Sequence, residues 1–250
     1  MTEPLYRGIV GAFKSVFRVL GMHLDVVGED NIPLTGGAIL AINHTSYLDF
    51  ALGGVPADMR GRRLVRFMAK DAVFRHPIAG PLMRGMKHIP VDRNSGTAAL
   101  HEAVTAARAG ELIGVFPEAT MSRSFEIKEL KNGAVRMAQE AHVPLIPMIV
   151  FGGHRVLSYG VRDFSRGRTI CMTVGMPMEV SADSDPEEAT LTLRKTLSEL
   201  LDVTIERYPD KPDGAAWIPQ RLGGTAPTLE EAKAIEEERR ARKLAERENR

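Results

Sequence analysis

The sequence predicts an α/β fold, with a mixed, largely parallel central sheet flanked by helices, an N-terminal amphipathic helix and a charged C-terminal tail. Short apolar runs alternate with stretches of helical periodicity along most of the chain, and this alternation is typical of strands joined by crossover helices. The chain has 250 residues, of which 44% are hydrophobic, so it is long enough to bury a sizeable core.

The overall charge is almost balanced, because 33 Lys and Arg residues face 32 Asp and Glu residues. A protein that binds nucleic acid is usually more basic, so this balance argues against that class. The single cysteine, Cys171, excludes an intrachain disulfide and a cysteine-based zinc site, and we expect a cytosolic protein. No apolar run is long enough to span a membrane, and residues 1–21 lack the pattern of a signal peptide.

The first predicted element is a helix over residues 5–22 with two unlike faces. At about 100° per residue, one side of this helix is apolar and the opposite side is basic. The apolar side consists of Ile9, Phe13, Val16, Phe17 and Leu20, and the basic side of Arg7, Lys14 and Arg18. Such a helix either packs on the core of its own domain or lies in a membrane interface with its basic residues near lipid phosphates.

The folded domain follows as alternating strands and helices. The apolar runs predicted as strands are 38–42, 64–68, 87–91, 112–116, 144–151 and 169–174. One predicted helix begins near Ser46, and three others span 97–108, 133–141 and 187–208. The chain thus divides into the helical residues 1–27, a domain over 28–208, and a Pro/Gly-rich linker with a charged tail over 209–250. Because residues 229–250 of this tail carry seven basic and seven acidic residues, we interpret them as a solvated, mobile or surface helix without chemistry.

Polar residues follow the first of these strands, at the edge where open α/β sheets place their ligands. His44 and Asp49 are five residues apart, so they meet only if His44 stays in the turn and Asp49 lies in the first turn of the next helix. Ser46 is a suitable N-cap for that helix. Asp49 would then hold one ring nitrogen of His44 and leave the other free as a base. The alternative is that Ser46 and Asp49 only cap the helix.

Further polar clusters lie near other strand ends. Pro117 and Glu118 form a turn after the strand 112–116, with hydroxyl groups and an arginine nearby. This turn could bind a polar head group, or it could be an ordinary turn in which Glu118 is solvated. Arg93 directly follows a strand and could pair with a phosphate or with Asp92. Lys131 and Gly133 lie at a predicted helix start, where backbone N–H groups favour an anion.

In this order and spacing, the clusters resemble the glycerolipid acyltransferase family over about residues 28–180. The first family block, Asn-His-x4-Asp, is matched by Asn43, His44 and Asp49. The second, ending Ile-x-Val-Asp-Arg, is matched by Ile89, Val91, Asp92 and Arg93. The third, Phe-Pro-Glu-Gly-Thr-Arg-Ser, is matched at Phe116, Pro117, Glu118, Thr120 and Ser122. The apolar run at 143–147 matches the fourth, and Lys131 and Gly133 match a Lys-x-Gly that follows the third.

The resemblance implies transfer of a fatty acyl chain from acyl-CoA or acyl carrier protein to a hydroxyl of a lysophosphatidate-like acceptor, in phospholipid biosynthesis. His44 is then the general base, oriented by Asp49, and Ser46 is a cap rather than a nucleophile because no acyl-enzyme is needed. The residues implied in binding the substrate and its phosphate are Arg93, Glu118, Thr120, Arg123, Lys131 and Gly133. The resemblance implies no metal, and no cofactor besides the acyl donor as co-substrate.

The third block departs from the family pattern at two positions. Ala119 stands in place of the usual glycine, and Met121 in place of an arginine expected to help hold the acceptor's phosphate. Arg123 could substitute for that arginine, or Arg93 and Lys131 could hold the phosphate without it. The alternatives are a different lysophospholipid or glycolipid acceptor, or a catalytically silent lipid-binding protein on the same fold.

The charge distribution favours a membrane surface. Between residues 56 and 93, nine basic residues face three acidic ones, which gives a net charge of +6. A basic rim of this kind attracts lipid phosphates, CoA phosphates or an anionic leaflet. Together with the amphipathic helix, it predicts a peripheral, monotopic enzyme at the cytoplasmic face of the cell membrane. The predicted partners are the membrane surface, the acyl donor and a lysophospholipid, with no nucleic acid.

Overall fold

The structure, a computed structural model, describes residues 3–92 and 96–248. The strands are β1 (His23–Val27), β2 (Ala38–Ile42), β3 (Val65–Lys70), β4 (Ile89–Val91), β5 (Leu112–Val115), β6 (Leu145–Phe151), β7 (Leu157–Ser158), β8 (Val161–Arg162) and β9 (Thr169–Val174). The α-helices are α1 (Pro4–Val19), α2 (Asp49–Leu52), α3 (Val55–Met59), α4 (Asp71–Phe74), α5 (Ala79–Gly85), α6 (Gly96–Arg108), α7 (Gly133–Ala141), α8 (Pro186–Arg207) and α9 (Leu229–Glu248).

The central sheet has seven strands in the order β1-β9-β6-β2-β5-β3-β4. Neighbours from β6 to β4 run parallel, whereas β9 runs antiparallel to β6 and carries β1 parallel to itself. The predicted mixed, largely parallel sheet is therefore confirmed. Strand β1 escaped prediction because its sequence, His-Leu-Asp-Val-Val, mixes polar and apolar residues without a clear period.

Helices cover both faces of the sheet. Helices α6, α7 and α8 pack on one face through residues such as Val135 and Leu197. Helices α1 and α2 cover the other face with residues such as Phe17 and Leu52. All five residues of β2 are buried, because this strand lies between β6 and β5 under both layers. The turn that follows β2 therefore starts from the most constrained part of the sheet.

Helix α1 divides its apolar surface between the core and the outside. Tyr6 and Phe17 are buried, which accords with a helix that packs on its own domain. Val16 and Val19 remain 51% and 67% exposed, so part of the apolar face is left open. None of the described helices is long and apolar enough to cross a membrane.

The segment after α8 was predicted as a linker, but it packs closely on the domain. The ring of Trp217 lies 5.5 Å from that of Tyr208, and the guanidinium of Arg155 lies 3.9 Å from the Trp217 ring. Ile218 and Ala226 are 3% and 1% exposed. This packing keeps the chain beside Phe151, at the carboxyl end of β6, before α9 begins.

Candidate active site

Two polar loops meet at the carboxyl edge of the central strands. The turn 43–49 follows β2, and the loop 116–124 follows β5, its parallel neighbour. The Asn43 side chain continues the pairing of β2 with β6, since its Oδ1 accepts from the Val150 N–H at 2.7 Å and its Nδ2 donates to the Val150 carbonyl at 3.2 Å. A side chain thus replaces main-chain pairing where β2 ends, and it fixes the start of the turn.

His44 and Asp49 are brought together as the spacing predicts. Nδ1 of His44 lies 3.1 Å from Oδ2 of Asp49. The same oxygen accepts the N–H groups of Thr45 at 2.6 Å and Ser46 at 2.7 Å. Asp49 is 0% exposed and His44 is 23% exposed, so the carboxylate is sheltered while the imidazole reaches solvent. Burial raises the pKa of the Asp49 carboxyl, and the donors on Oδ2 act in the opposite direction.

Ser46 holds the turn in a different way from the predicted N-cap. Helix α2 begins at Asp49, and the Ser46 Oγ accepts from the Leu48 N–H at 3.0 Å. Its hydroxyl donates to the Leu157 carbonyl on β7 at 2.7 Å. Because the hydroxyl is engaged with main-chain groups, Ser46 is a structural residue of the turn and is not arranged as a nucleophile.

The loop after β5 clamps the main chain of His44 from both sides. Oε1 of Glu118 accepts the His44 N–H at 2.9 Å, and the Ser122 N–H donates to the His44 carbonyl at 2.7 Å. Oε2 of Glu118 accepts the Lys128 N–H at 3.2 Å. Burial raises the pKa of Glu118 to about 8, against the effect of both N–H donors and the Lys128 charge. Glu118 is predicted to contact substrate; in the structure it is buried, and its two oxygens accept main-chain N–H groups, one of them that of His44.

The remaining predicted binding residues spread around this loop. Thr120 is half-buried, and its Oγ1 accepts from the Lys128 ammonium at 2.5 Å. The Arg123 guanidinium lies 3.9 Å from the centre of the Tyr159 ring. Lys131 has an exposed side chain, and Gly133 is the first residue of α7. The predicted phosphate ligand Arg93 lies outside the described residues.

The two departures in the third block have visible structural effects. Ala119 has a φ of 61°, in the left-handed region where glycine is the usual residue. Its methyl group therefore makes this turn strained, by roughly 1–2 kcal/mol. Met121 is only 4% exposed, so it is a packing residue where an arginine would carry charge.

Two other histidines are ruled out as bases by their surroundings. Burial lowers the pKa of His88 to about 3, and its Nδ1 accepts the Phe67 N–H at 3.0 Å. Burial likewise lowers the pKa of His154 to about 3, and its ring stacks on Phe125. Both are neutral residues of the interior, which leaves His44 as the described histidine that combines a carboxylate partner with access to solvent.

The basic stretch 56–93 contributes less free charge than its sequence suggests. Much of the charge is engaged within the protein: Arg60, Arg66, Arg75 and Lys87 pair with carboxylates, and Arg63 and Arg84 donate to main-chain carbonyls. Lys14 of α1 also pairs with a carboxylate, that of Asp58. Lys70 lies exposed at the carboxyl end of β3, on the same edge as the two loops.

Sequence reasoning missed three residues beside the loops: Lys128, Tyr159 and Glu236. Lys128 lies between the third block and the Lys-x-Gly, in a stretch without a recognisable pattern. Tyr159 comes from the β7–β8 hairpin and Glu236 from α9. Nothing local in the sequence relates these distant segments to the site, because only the tertiary fold brings them there.

Comparisons with known proteins relate the chain to a protein family. A family model described as "Acyltransferase" matches residues 23–151. The chain is 28% identical over 178 residues to the 1-acyl-sn-glycerol-3-phosphate acyltransferase of Bacillus subtilis, covering 70% of this chain and 82% of that protein. It is 31% identical over 156 residues to the protein of the same name from Limnanthes douglasii, covering 60% and 52%. The fold is similar to the crystal structure of the 1-acyl-sn-glycerophosphate (LPA) acyltransferase PlsC from Thermotoga maritima, with a TM-score of 0.68, 22% identity and coverage of 82% and 81%.

Proposed function

Since this chain belongs to the glycerolipid acyltransferase family, we propose that it transfers a fatty acyl chain from an acyl thioester to a free hydroxyl of lysophosphatidate, in phospholipid biosynthesis. The observation that carries this proposal is the contact between His44 Nδ1 and Asp49 Oδ2 at 3.1 Å, with the carboxylate buried and the imidazole open to solvent. This is the arrangement of a base oriented by an acid.

The reaction requires a base because a hydroxyl is a poor nucleophile at neutral pH. With Nδ1 held by Asp49, Nε2 of His44 takes the hydroxyl proton as the acceptor oxygen bonds to the thioester carbonyl carbon. The carbon–sulfur bond then breaks, and the same proton passes from Nε2 to the departing thiolate. Acid–base assistance of this kind contributes roughly 10²–10⁴ in rate. No covalent bond to the protein forms in this sequence.

Asp49 stabilises the imidazolium that exists only during transfer, which lowers the barrier rather than the ground state. The main-chain N–H groups of Thr45 and Ser46 donate hydrogen bonds to Asp49, and that of His44 donates to Glu118. The tetrahedral oxyanion therefore needs donors other than these three groups.

The acyl donor is acyl-CoA or acyl carrier protein, and the acceptor meets the enzyme at a membrane surface. Helix α1 supports this location, because Val16 and Val19 are exposed beside its buried residues. Apolar side chains presented by a surface helix suit the boundary between head groups and acyl chains. We place the protein as a peripheral enzyme at the cytoplasmic face of the cell membrane.

A second candidate function is acylation of a different lysophospholipid or of a glycolipid. Met121 favours this candidate, because an apolar, buried side chain stands where the family usually has arginine. A catalytically silent lipid-binding protein on the same fold is a third candidate, against which the His44–Asp49 contact argues.

The test is transfer of a radiolabelled acyl chain from acyl-CoA and from acyl carrier protein to a panel of lysolipids. We expect a radioactive phosphatidate product with the native protein and a loss of roughly 10²–10⁴-fold in His44→Ala. The matched control is His101→Ala, which removes an exposed histidine from α6. Equal activity of the native protein and His44→Ala would refute the mechanism. Activity confined to another acceptor would support the second candidate, and inactivity on all acceptors the third.

A further inference from the structure

Lys128 contacts the third block through its main chain and its side chain, although it does not belong to that block. Its N–H donates to Glu118, which also holds the main chain of His44. Its ammonium donates to Thr120 Oγ1 at 2.5 Å. The Lys128 side chain is 21% exposed, so it remains reachable from solvent. The ammonium therefore contacts Thr120 of the third block. Thr120 directly precedes Met121, which stands in place of the usual arginine.

An aromatic and cationic cluster adjoins this lysine. The Arg123 guanidinium lies 3.9 Å from the centre of the Tyr159 ring, and among the described residues its buried Nε atom has no hydrogen-bond partner. Arg239 of α9 lies 5.6 Å from the same ring centre. The Tyr47 ring lies 5.9 Å from the Tyr159 ring, and Tyr47 belongs to the turn that carries His44. The cluster therefore lies beside the catalytic turn.

The Lys128 ammonium pairs with a carboxylate from the C-terminal helix, that of Glu236. Both oxygens of Glu236 accept from Lys128 Nζ, at 3.1 and 3.2 Å. Helix α9, which carries Glu236, is fixed at its start by reciprocal bonds between Thr228 and Glu231 and by the buried Ala232. Glu236 is 31% exposed. An ammonium binds a phosphate as a point charge with several donors, so a phosphate monoester could take the place of this carboxylate.

We propose that Lys128 is a specificity-determining residue that binds the phosphate monoester of the acceptor, and that Glu236 occupies this subsite until the acceptor displaces it. This inference rests on the proposed function, because it assumes a phosphorylated acceptor. Lys128 supplies the positive charge that Met121 does not, from a position that follows this loop in the sequence. Displacing a partly exposed ion pair costs the acceptor about two- to five-fold in affinity, which a doubly charged phosphate outweighs.

The experiment measures KM and kcat for lysophosphatidate and for uncharged monoacylglycerol in Lys128→Gln, Lys128→Arg and Glu236→Gln. The matched control is Glu237→Gln, which removes an exposed carboxylate from the next position of α9. We expect Lys128→Gln to raise KM for lysophosphatidate by roughly ten-fold with little change in kcat, and Lys128→Arg to restore most of the affinity. Glu236→Gln should lower this KM by about two- to five-fold, and it should have no such effect when combined with Lys128→Gln.

Several results would overturn the inference. An unchanged KM for lysophosphatidate in Lys128→Gln, or an equal rise for both acceptors, would mean that Lys128 does not recognise phosphate. A rise confined to the KM of acyl-CoA would assign the ammonium to the 3′-phosphate of the donor instead. An unchanged or higher KM in Glu236→Gln would make the pair a structural contact of α9.

A separate binding measurement keeps the proposed function and this inference distinguishable. If the native protein acylates no lysophosphatidate, the proposed function fails, and binding of sn-glycerol 3-phosphate is then measured by calorimetry on the native protein and on Lys128→Gln. Roughly ten-fold weaker binding in Lys128→Gln would support a phosphate subsite without the reaction. Equal binding would overturn the subsite as well.

Discussion

Replacing Asp49 by asparagine separates the charge of this residue from its geometry. All three donors to the carboxylate, from His44, Thr45 and Ser46, converge on Oδ2. Among the described residues, the other oxygen, Oδ1, is buried without a hydrogen-bond partner. The carbonyl oxygen of asparagine can therefore take the place of Oδ2 and keep every contact, while its NH₂ group takes the place of Oδ1. Asp49→Asn should preserve the contacts of the turn and remove the negative charge, while its NH₂ group is left without a partner.

The magnitude follows from the distance. At 3.1 Å, and with an effective dielectric constant of about 20, unit charges on His44 and Asp49 attract by about 5 kcal/mol. In the proposed reaction the imidazolium forms during transfer, so the loss falls on the barrier. At roughly 1.4 kcal/mol per factor of ten, kcat should fall by about 10³- to 10⁴-fold. Asp49→Ala should in addition leave two buried N–H groups unpaired and lower the free energy of unfolding by roughly 2–6 kcal/mol.

The assay combines initial rates with thermal unfolding. Asp49→Asn should unfold within a few degrees of the native protein, and Asp49→Ala at a clearly lower temperature. Because Asp49 acts through His44, adding Asp49→Asn to His44→Ala should slow the reaction no further. The reasoning is wrong if Asp49→Asn retains more than about a tenth of the native kcat, or if the two substitutions multiply their effects.

Three further predictions concern the loop, the first helix and the cysteine. Burial raises the pKa of Glu118 to about 8 in the folded state, against an ordinary value of 4.5 in the unfolded chain. The native protein should therefore lose stability relative to Glu118→Gln as the pH rises from 4.5 to 8. Tm values of both proteins, measured across this pH range, test the prediction. Exchanging the exposed Val16 and Val19 for aspartate should weaken binding to anionic phospholipid vesicles by at least about ten-fold without changing Tm. By contrast, Phe17 is buried, so Phe17→Ala should lower the free energy of unfolding in urea titrations by about 3–5 kcal/mol. Burial raises the pKa of the Cys171 thiol to about 12, so a thiol reagent at pH 8 should react at the rate of unfolding, and rapid labelling of the native protein would contradict its burial.

The central strands were predictable because a buried parallel strand is a continuous apolar run, as in β2 and β6. The spacing of His44 and Asp49 allowed their contact, because they lie five positions apart within a single turn, but it also allowed simple helix capping. The strands followed from local information alone. The choice between the two readings of the turn rested on the family resemblance.

The role of Glu118 and the course of the C-terminal segment could not be predicted in this way. From the sequence, Glu118 could be a solvated turn residue. In the structure its two oxygens accept the N–H groups of His44 and Lys128, and the second of these is ten residues away in the sequence. The prolines and glycines after α8 indicate irregular structure correctly, but irregular structure is not the same as a linker. Only the packing of Trp217 and the burial of Ile218 show that this segment lies against the domain.

The ring of Phe116 lies almost parallel to the His44 imidazole, with 4.4 Å between the ring centres. The face of a phenyl ring is electron-rich and attracts a cation more strongly than a neutral ring. In the proposed reaction, His44 is a cation only between taking the acceptor's proton and releasing it to sulfur. The aromatic contact therefore holds the protonated intermediate more tightly than the resting enzyme. In the proposed reaction, we therefore expect Phe116 to contribute to the rate as well as to the packing of the loop.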